Sequence, residues 1–546
     1  MKRKIKKRIA GILVIVFVVI SISFQSNFFE IAKQIDIYTT MFKELNMYYI
    51  DEVNPAKLNE KSVNYMLSSL DPYTRYFDEQ GVEDARILST GEYGGIGVVS
   101  RYKNKILTIR EILKNSPAQK SGIKAGDKIL KIDDVVVSDF EGKGIESLLN
   151  GLPNTKVIIE IERQNKKQII EIVRKKIEIN PVPHYSMIDN EIGYISFIKF
   201  NKKASSEVKK AFLALKDEGM KKLIIDVRSN PGGLLNEAVN IANFFIPKDK
   251  IVVTTKAKIE KWSNTFKTRF KPIDIEIPIV VLVNNRSASA SEILAGSLQD
   301  YDRAVIIGER SFGKGLVQRY SKLSYGTQIK LTISKYYTPS GRCIQELDYT
   351  NRDNKGNIPK FSDSERKAYK TENGRTIFGG GGIMPDIKIK KPETTKTTET
   401  LLKSDAFFKY ATNYFYKNPT ISEPQQFNLA TKEFNLLVEF LRKNNNDFET
   451  STETQFKEAL KKAETENLSN NLKADYTQLL GNIQEEKINE LEKNKEEILS
   501  KLTEEIVKRY FYSEGVYKQK ANFDTTILKA TEVLNNFKAY SKVLSN

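Results

Sequence analysis

PIVVLVNN (278–285), RSASASEILAGSLQDYD (286–302) and RAVIIGERSFGKGLVQRY (303–320) follow one another without interruption, and their reading decides the fold. The first is a short, wholly apolar run bounded by Pro278 and Asn284-Asn285, which predicts a strand buried on both faces. The second reads as a turn and then a helix from about Ala290. AVIIGER then supplies another buried strand, and LVQRY a further strand after a glycine-flanked loop. Upstream the alternation continues. IGYISFIKF (192–200) precedes a helix around Ser205–Lys216, and KLIIDVRSN (222–230) precedes a helix after Pro231-Gly232-Gly233. Apolar strands separated by helices of this length predict a layered α/β core over 177–390.

Other textures flank that core. Apolar residues recur at helical spacing from Ile31 to Leu70, so 25–85 is expected to be a small helical region. Residues 86–176 break into short β-rich runs, GGIGVVS, KILTIREIL, DKILKIDDVVV and KVIIEIERQ, as in a compact β domain. Lys391–Thr400 reads as a linker. Beyond it, to 546, helical periodicity with mixed charge predicts a solvated helical domain. The fold class is therefore multidomain α/β. Residues 1–8 are basic, Ile9–Ile22 is apolar, and Ser21-Ile22-Ser23 offers a small-x-small cleavage site. Residues 1–24 are expected to be a secretory signal, cleaved or retained as a membrane anchor, which gives the rest an extracytoplasmic address.

Composition narrows the chemistry. The 546 residues hold one histidine, His184, and one cysteine, Cys343, which excludes di-histidine metal sites, zinc ribbons, internal disulfides and paired-thiol redox motifs within one chain. No metal or cofactor is expected. The net charge of +18 takes six of its positive charges from the first eight residues, and the other lysines are interspersed with acids, so nucleic acid is not expected as a partner.

Three constellations carry the candidate chemistry. Ser289 falls at a strand-to-helix turn. It fits an S-x-x-E capping box with Glu292, and it equally fits a nucleophile lifted clear of a sheet edge beside the free amides of a helix start. His184, in PVPHYS, reads as a structural histidine, which leaves lysine as the base such a serine would need. Lys314 stands between Gly313 and Gly315. Glycines there permit a close approach that can carry an amine into a dry site. The near-match of Gly308–Gly315 to a P-loop fails, because Gly315 replaces the Ser or Thr and a strand follows where a helix is required. With 314–318 extended, Gln318 shares a face with Lys314. Gly232 and Gly233 end a strand as Ser289 does. Their amides, with that of Ala290, could form an oxyanion hole or simply serve the turn.

Taken together the segments resemble the carboxyl-terminal processing peptidases, the tail-specific proteases. The likeness runs through the 286–318 stretch and through LDPYTRYF (70–77), YGGIGVV (93–99), SPAQKSGIKAGDKILKIDD (116–134), VRSNPGGLL (227–235), YYTPSGRCIQ (336–345) and GGIMPD (381–386). The resemblance implies Ser289 as nucleophile, Lys314 as general base, Gln318 positioning the lysine, and Gly232 or Gly233 with Ala290 as oxyanion donors. Asp300 matches an acidic position of the family and, at the end of a helix, is read as structural. The resemblance also implies a PDZ module whose loop Gly94-Gly95-Ile96-Gly97 cradles the free C-termini of protein substrates. Two functions are thus expected: an exported serine endopeptidase working through a Ser/Lys dyad, or a catalytically silent PDZ scaffold. Pairing of subunits through the N-terminal helices into a homo-oligomer is a further expectation from the family.

Overall fold

The computed structural model describes residues 28–140, 144–349, 352, 358–360, 366–389, 394–443 and 448–545; the expected signal at 1–24 lies outside them. The described chain forms two compact units. One comprises the residues up to Asp78 with Tyr320–Leu331; the other comprises Glu79–Arg319 and the chain from Thr332 onward.

In the first unit, helices occupy 28–48 and Pro55–Ser68, as their periodicity predicts. Asn54 caps the second, its Oδ1 accepting the Lys57 N–H at 3.0 Å, with Pro55 opening the first turn. Asp71 then accepts the N–H groups of Tyr73 and Thr74, each at 2.8 Å. The turn so made delivers the strand Arg75–Phe77, which pairs antiparallel with Gln328–Lys330.

The second unit holds three packed parts. Its β domain is a sheet ordered Val98–Lys103, Ile106–Ile112, Lys128–Ile132, Lys156–Arg163, Lys166–Val173, with Val98–Lys103 along one edge. Leu107, Ile109, Ile129, Val157, Ile159 and Ile161 fill its core at the period of two that half-buried strands require.

The α/β part is built on a six-stranded sheet ordered His184–Met187, Ile192–Ser196, Lys222–Asp226, Ile279–Val283, Val305–Gly308, Ile387–Lys388. Only the first pairing is antiparallel. Ile279, Val281 and Val283 face a core shared with the helices Ala204–Asp217, Leu235–Ala242 and Ala290–Asp300. Val280 and Leu282 face the opposite way, onto Ile527, Ala530, Val533, Leu534 and Tyr540. The continuous apolar run is therefore explained by two covered faces, and the second cover comes from the C-terminal helices Thr525–Asn535 and Phe537–Leu544.

This corrects the reading of the tail as a solvated domain behind a linker. A helix, Lys396–Lys403, begins inside the expected linker, with Thr395 as its cap. The tail has a core of its own around Phe434, Leu437, Leu441, Ile498, Leu502 and Ile506. Its far end completes the α/β layers, and it also grips the β domain. Asp405 accepts hydrogen bonds from Arg110 at 2.9 Å and Arg101 at 3.1 Å, Lys508 pairs with Glu111 at 3.0 Å, and the Arg110 guanidinium lies 3.5 Å over the Phe408 ring. Pattern alone shows that a tail helix is amphipathic, not which face of a distant sheet will receive it.

The second cover is testable by substitution. Ile527→Ala, which removes a fully buried side chain from that layer, should cost about 2–4 kcal/mol in denaturant unfolding. Leu528→Ala on the exposed side of the same helix should stay within about 0.5 kcal/mol.

Candidate active site

The C-terminal ends of Lys222–Asp226 and Ile279–Val283 lie side by side in the sheet, and each feeds a tight turn into a helix. That is where a doubly covered parallel sheet opens its crevice. Ser289 stands at the N-cap of Ala290–Asp300 with φ 57° and ψ −112°, a conformation seldom held by a non-glycine residue and costing roughly 1–3 kcal/mol. Surrounding bonds impose it. The Ser287 hydroxyl donates to the Val227 carbonyl at 2.7 Å, Ala288 N–H to the Asn230 carbonyl at 3.0 Å, and the Tyr336 hydroxyl to the Ser289 carbonyl at 3.2 Å.

The capping box forms as its spacing predicts, but Glu292 does far more than cap. It is fully buried. One oxygen, Oε2, accepts the Ser289 N–H at 2.7 Å and the Lys314 N–H at 3.0 Å. The other, Oε1, accepts the Gly313 N–H at 2.7 Å and the Ser311 hydroxyl at 2.6 Å. The backbone nitrogens of Ser289 and Lys314 are therefore separated by no more than the two bonds to their shared oxygen. Burial pushes the Glu292 carboxyl up to about 7, against the pull of its donors: Ser311, then the amides of Gly313, Ser289 and Lys314. The loop around Lys314 is laced further, with Phe312 N–H on the Ser287 carbonyl and Gly315 N–H on Gln345 Oε1 at 2.8 Å. Lys314 itself is half-buried between two buried glycines.

Gly232 and Gly233 come to the same place. Gly232 has φ +89°, and a Cβ on it would stand 2.5 Å from the Ala288 carbonyl oxygen and 2.8 Å from the Ala290 nitrogen. Only glycine lets this loop lie against the serine turn. The Gly232 N–H donates to Asn230 Oδ1 at 2.9 Å, while Gly233 bridges to Phe200 and Ala290 opens the helix. Asn230, also fully buried, donates to the Phe197 carbonyl at 2.9 Å, and its own carbonyl accepts the Ser291 hydroxyl at 2.9 Å, so it stitches the two turns together. Asn230 and the clamping role of Glu292 escaped the sequence reading. The one signal at Glu292 was the S-x-x-E spacing, which announces a cap and nothing more.

The remaining candidates sit as follows. Gln318 lies in the strand Leu316–Lys322, and its amide donates to the Thr332 hydroxyl at 3.2 Å. His184 begins the edge strand, three strand spacings or roughly 14 Å from the one that leads to Ser289. It contacts the Ser186 hydroxyl at 3.1 Å, and burial, reinforced by Lys518, lowers it to about 4. Asp300 forms a buried pair with Arg342 at 2.8 Å at the end of the serine helix, which suits a structural role. In the β domain, Gly94 and Gly95 belong to the strand Glu92–Gly95, paired with Lys176 and Lys175. Ile96 and Gly97 make the link to the edge strand, their carbonyls taking the N–H groups of Ala118 and Leu113.

Three family descriptions match the sequence: peptidase family S41 over residues 191–351, a PDZ domain over 94–173, and "Probable PDZ-protease, C-terminal helical domain" over 397–534. A carboxy-terminal-processing protease of Bartonella bacilliformis is 35% identical over 324 residues, spanning 58% of this chain and 74% of its own length. A probable CtpA-like serine protease of Staphylococcus haemolyticus is 30% identical over 473 residues, spanning 84% and 83%. Among solved structures, the photosystem II D1 C-terminal processing protease aligns with 26% identity over 64% of this chain and 86% of its own, at a TM-score of 0.36. The family matches and the curated relatives define a serine-type protease that carries a PDZ module, and the expectation of a silent scaffold falls away. The chain belongs to the carboxy-terminal-processing protease family of peptidase family S41.

Two outcomes follow for the site. Gly232→Ala should lower peptidase activity by about 10²-fold or more, because the added methyl displaces the backbone on either side of Ser289; tail binding by the PDZ module, measured by fluorescence anisotropy, should be unchanged. Glu292, raised in the folded state, takes up a proton on folding, so its contribution to stability is complete below about 4.5 and is lost as pH climbs through about 7. Between those values wild type should shed stability at up to about 1.4 kcal/mol per pH unit relative to Glu292→Gln, as read from unfolding midpoints at each pH.

Proposed function

We propose that this protease cleaves peptide bonds near the C-termini of extracytoplasmic proteins with Ser289 as nucleophile and Lys314 as general base. The observation that carries the reading is the shared Glu292 oxygen, which ties the backbone of both residues to one buried point. The neutral Lys314 amine takes the Ser289 proton as Oγ bonds to the scissile carbonyl carbon. The oxyanion is received by the amides of Ala290 and Gly233, since the Gly232 N–H is turned to Asn230. The Lys314 ammonium protonates the leaving amine, and water then hydrolyses the acyl-enzyme through the same base. Gln318, on the strand that leaves the lysine loop, steadies the amine once substrate is bound. No metal or cofactor enters the scheme.

The PDZ module binds the free C-terminus of the substrate, the carboxylate resting at the loop that ends Gly94-Gly95-Ile96-Gly97 while the tail lies along the edge strand Val98–Lys103. Residues 1–24 export the chain, either removed afterwards as a signal or kept as an anchor, and the N-terminal helices pair it with a second copy.

Ser289→Ala and Lys314→Arg should each lower hydrolysis of an unfolded substrate by on the order of 10⁴-fold, and EDTA should leave wild type unchanged. Guanidinium stays protonated, so an active Lys314→Arg enzyme would overturn the lysine's role. Detection of the chain in the cytosolic fraction would overturn the export.

A further inference from the structure

The open edge of the PDZ sheet is not vacant. Gly97 turns its carbonyl toward the neighbouring strand, where it accepts the Leu113 N–H at 3.0 Å. By alternation Val98, Ser100 and Tyr102 turn their N–H and C=O groups outward, to the side a bound tail would pair with. At the third of these the position is taken: the Tyr102 N–H donates to Glu146 Oε1 at 3.2 Å.

Glu146 comes from the short 3₁₀ turn Ile145–Leu149, whose Ile145 and Leu149 are buried in the PDZ core. The turn is anchored from behind as well, because the buried Arg174 guanidinium donates to the Leu148 carbonyl at 2.9 Å. The backbone that carries the carboxylate is thereby held in place.

An antiparallel tail whose terminal carboxylate rests at the Val98 amide puts its last residue opposite Val98, its third from the end opposite Ser100, and its fifth opposite Tyr102. Residues directly opposite share a face of the sheet. The fifth residue's side chain thus lies on the face of Tyr102, whose ring packs on the PDZ core beside the 145–149 turn. To complete the strand, that residue's carbonyl must take the Tyr102 N–H and displace the Glu146 carboxylate. A cationic side chain there compensates the displaced carboxylate, a neutral one leaves it without its hydrogen bond, and an acidic one repels it.

We propose that Glu146 is a specificity-determining residue of the PDZ groove, selecting substrate tails that carry Lys or Arg at the fifth residue from the C-terminus. The inference rests on capture of C-termini by this edge. Fluorescein-labelled octapeptides, identical but for Lys, Ala or Glu at that position and ending in carboxylate or amide, are titrated against the full chain bearing Ser289→Ala. The Lys peptide is expected to bind about fivefold tighter than the Glu peptide. Glu146→Gln should erase the difference and Glu146→Lys should invert it. Carboxylate peptides that bind better than amides yet show no Lys-over-Glu preference overturn this proposal alone. Amides that bind as well as carboxylates, or no binding at all, overturn the capture of C-termini and this proposal with it. A preference that persists unchanged in both Glu146 variants assigns it elsewhere and also refutes the proposal.

Discussion

A single carboxyl group in a dry place organises the candidate site. Removing an ionisable group from water is costly unless donors replace the lost hydration, and around Glu292 every donor comes from one of the two loops that must meet. Satisfying the buried acid and assembling the site are thus the same event. Neither loop can drift without stranding one of its N–H groups or the acid itself, and the strained backbone of Ser289 persists because its surroundings leave it no alternative.

The glycines and Asn230 extend that logic sideways. The turn after Lys222–Asp226 has no side chain at its nearest approach to the serine turn, and a buried asparagine supplies bonds to both. Two strand ends that are merely neighbours in the sheet become one rigid surface. Precision of this kind is what positional catalysis demands.

Much of this was legible in the chain. Apolar runs of five or six residues bounded by turn signals gave the sheet, and the S-x-x-E spacing gave the cap. The strand-end serine and the lysine between glycines stood out because each breaks its local pattern. What remained hidden depended on long-range contacts. Glu292 looked like an ordinary capping glutamate because its Ser311 and Gly313 partners lie about twenty residues away on another loop. The tail looked solvated because its helices are amphipathic, and amphipathicity states that a face is covered without naming the cover. The linker reading failed at Thr395, where threonines that suggest irregular chain instead cap a helix.

Arg228 stands at the base of the glycine loop. Four residues before Gly232, its guanidinium is shared between Asp226 at the end of the sheet strand, at 2.7 Å, and Asp524 at the start of the helix Thr525–Asn535, at 2.8 Å. The C-terminal appendage therefore reaches back to the root of the loop that lies against the Ser289 turn. A chain that stops short of the last helices keeps Asp226 beside Arg228 but loses Asp524, and with it the ion pair that ties the tail to the base of the Gly232 loop.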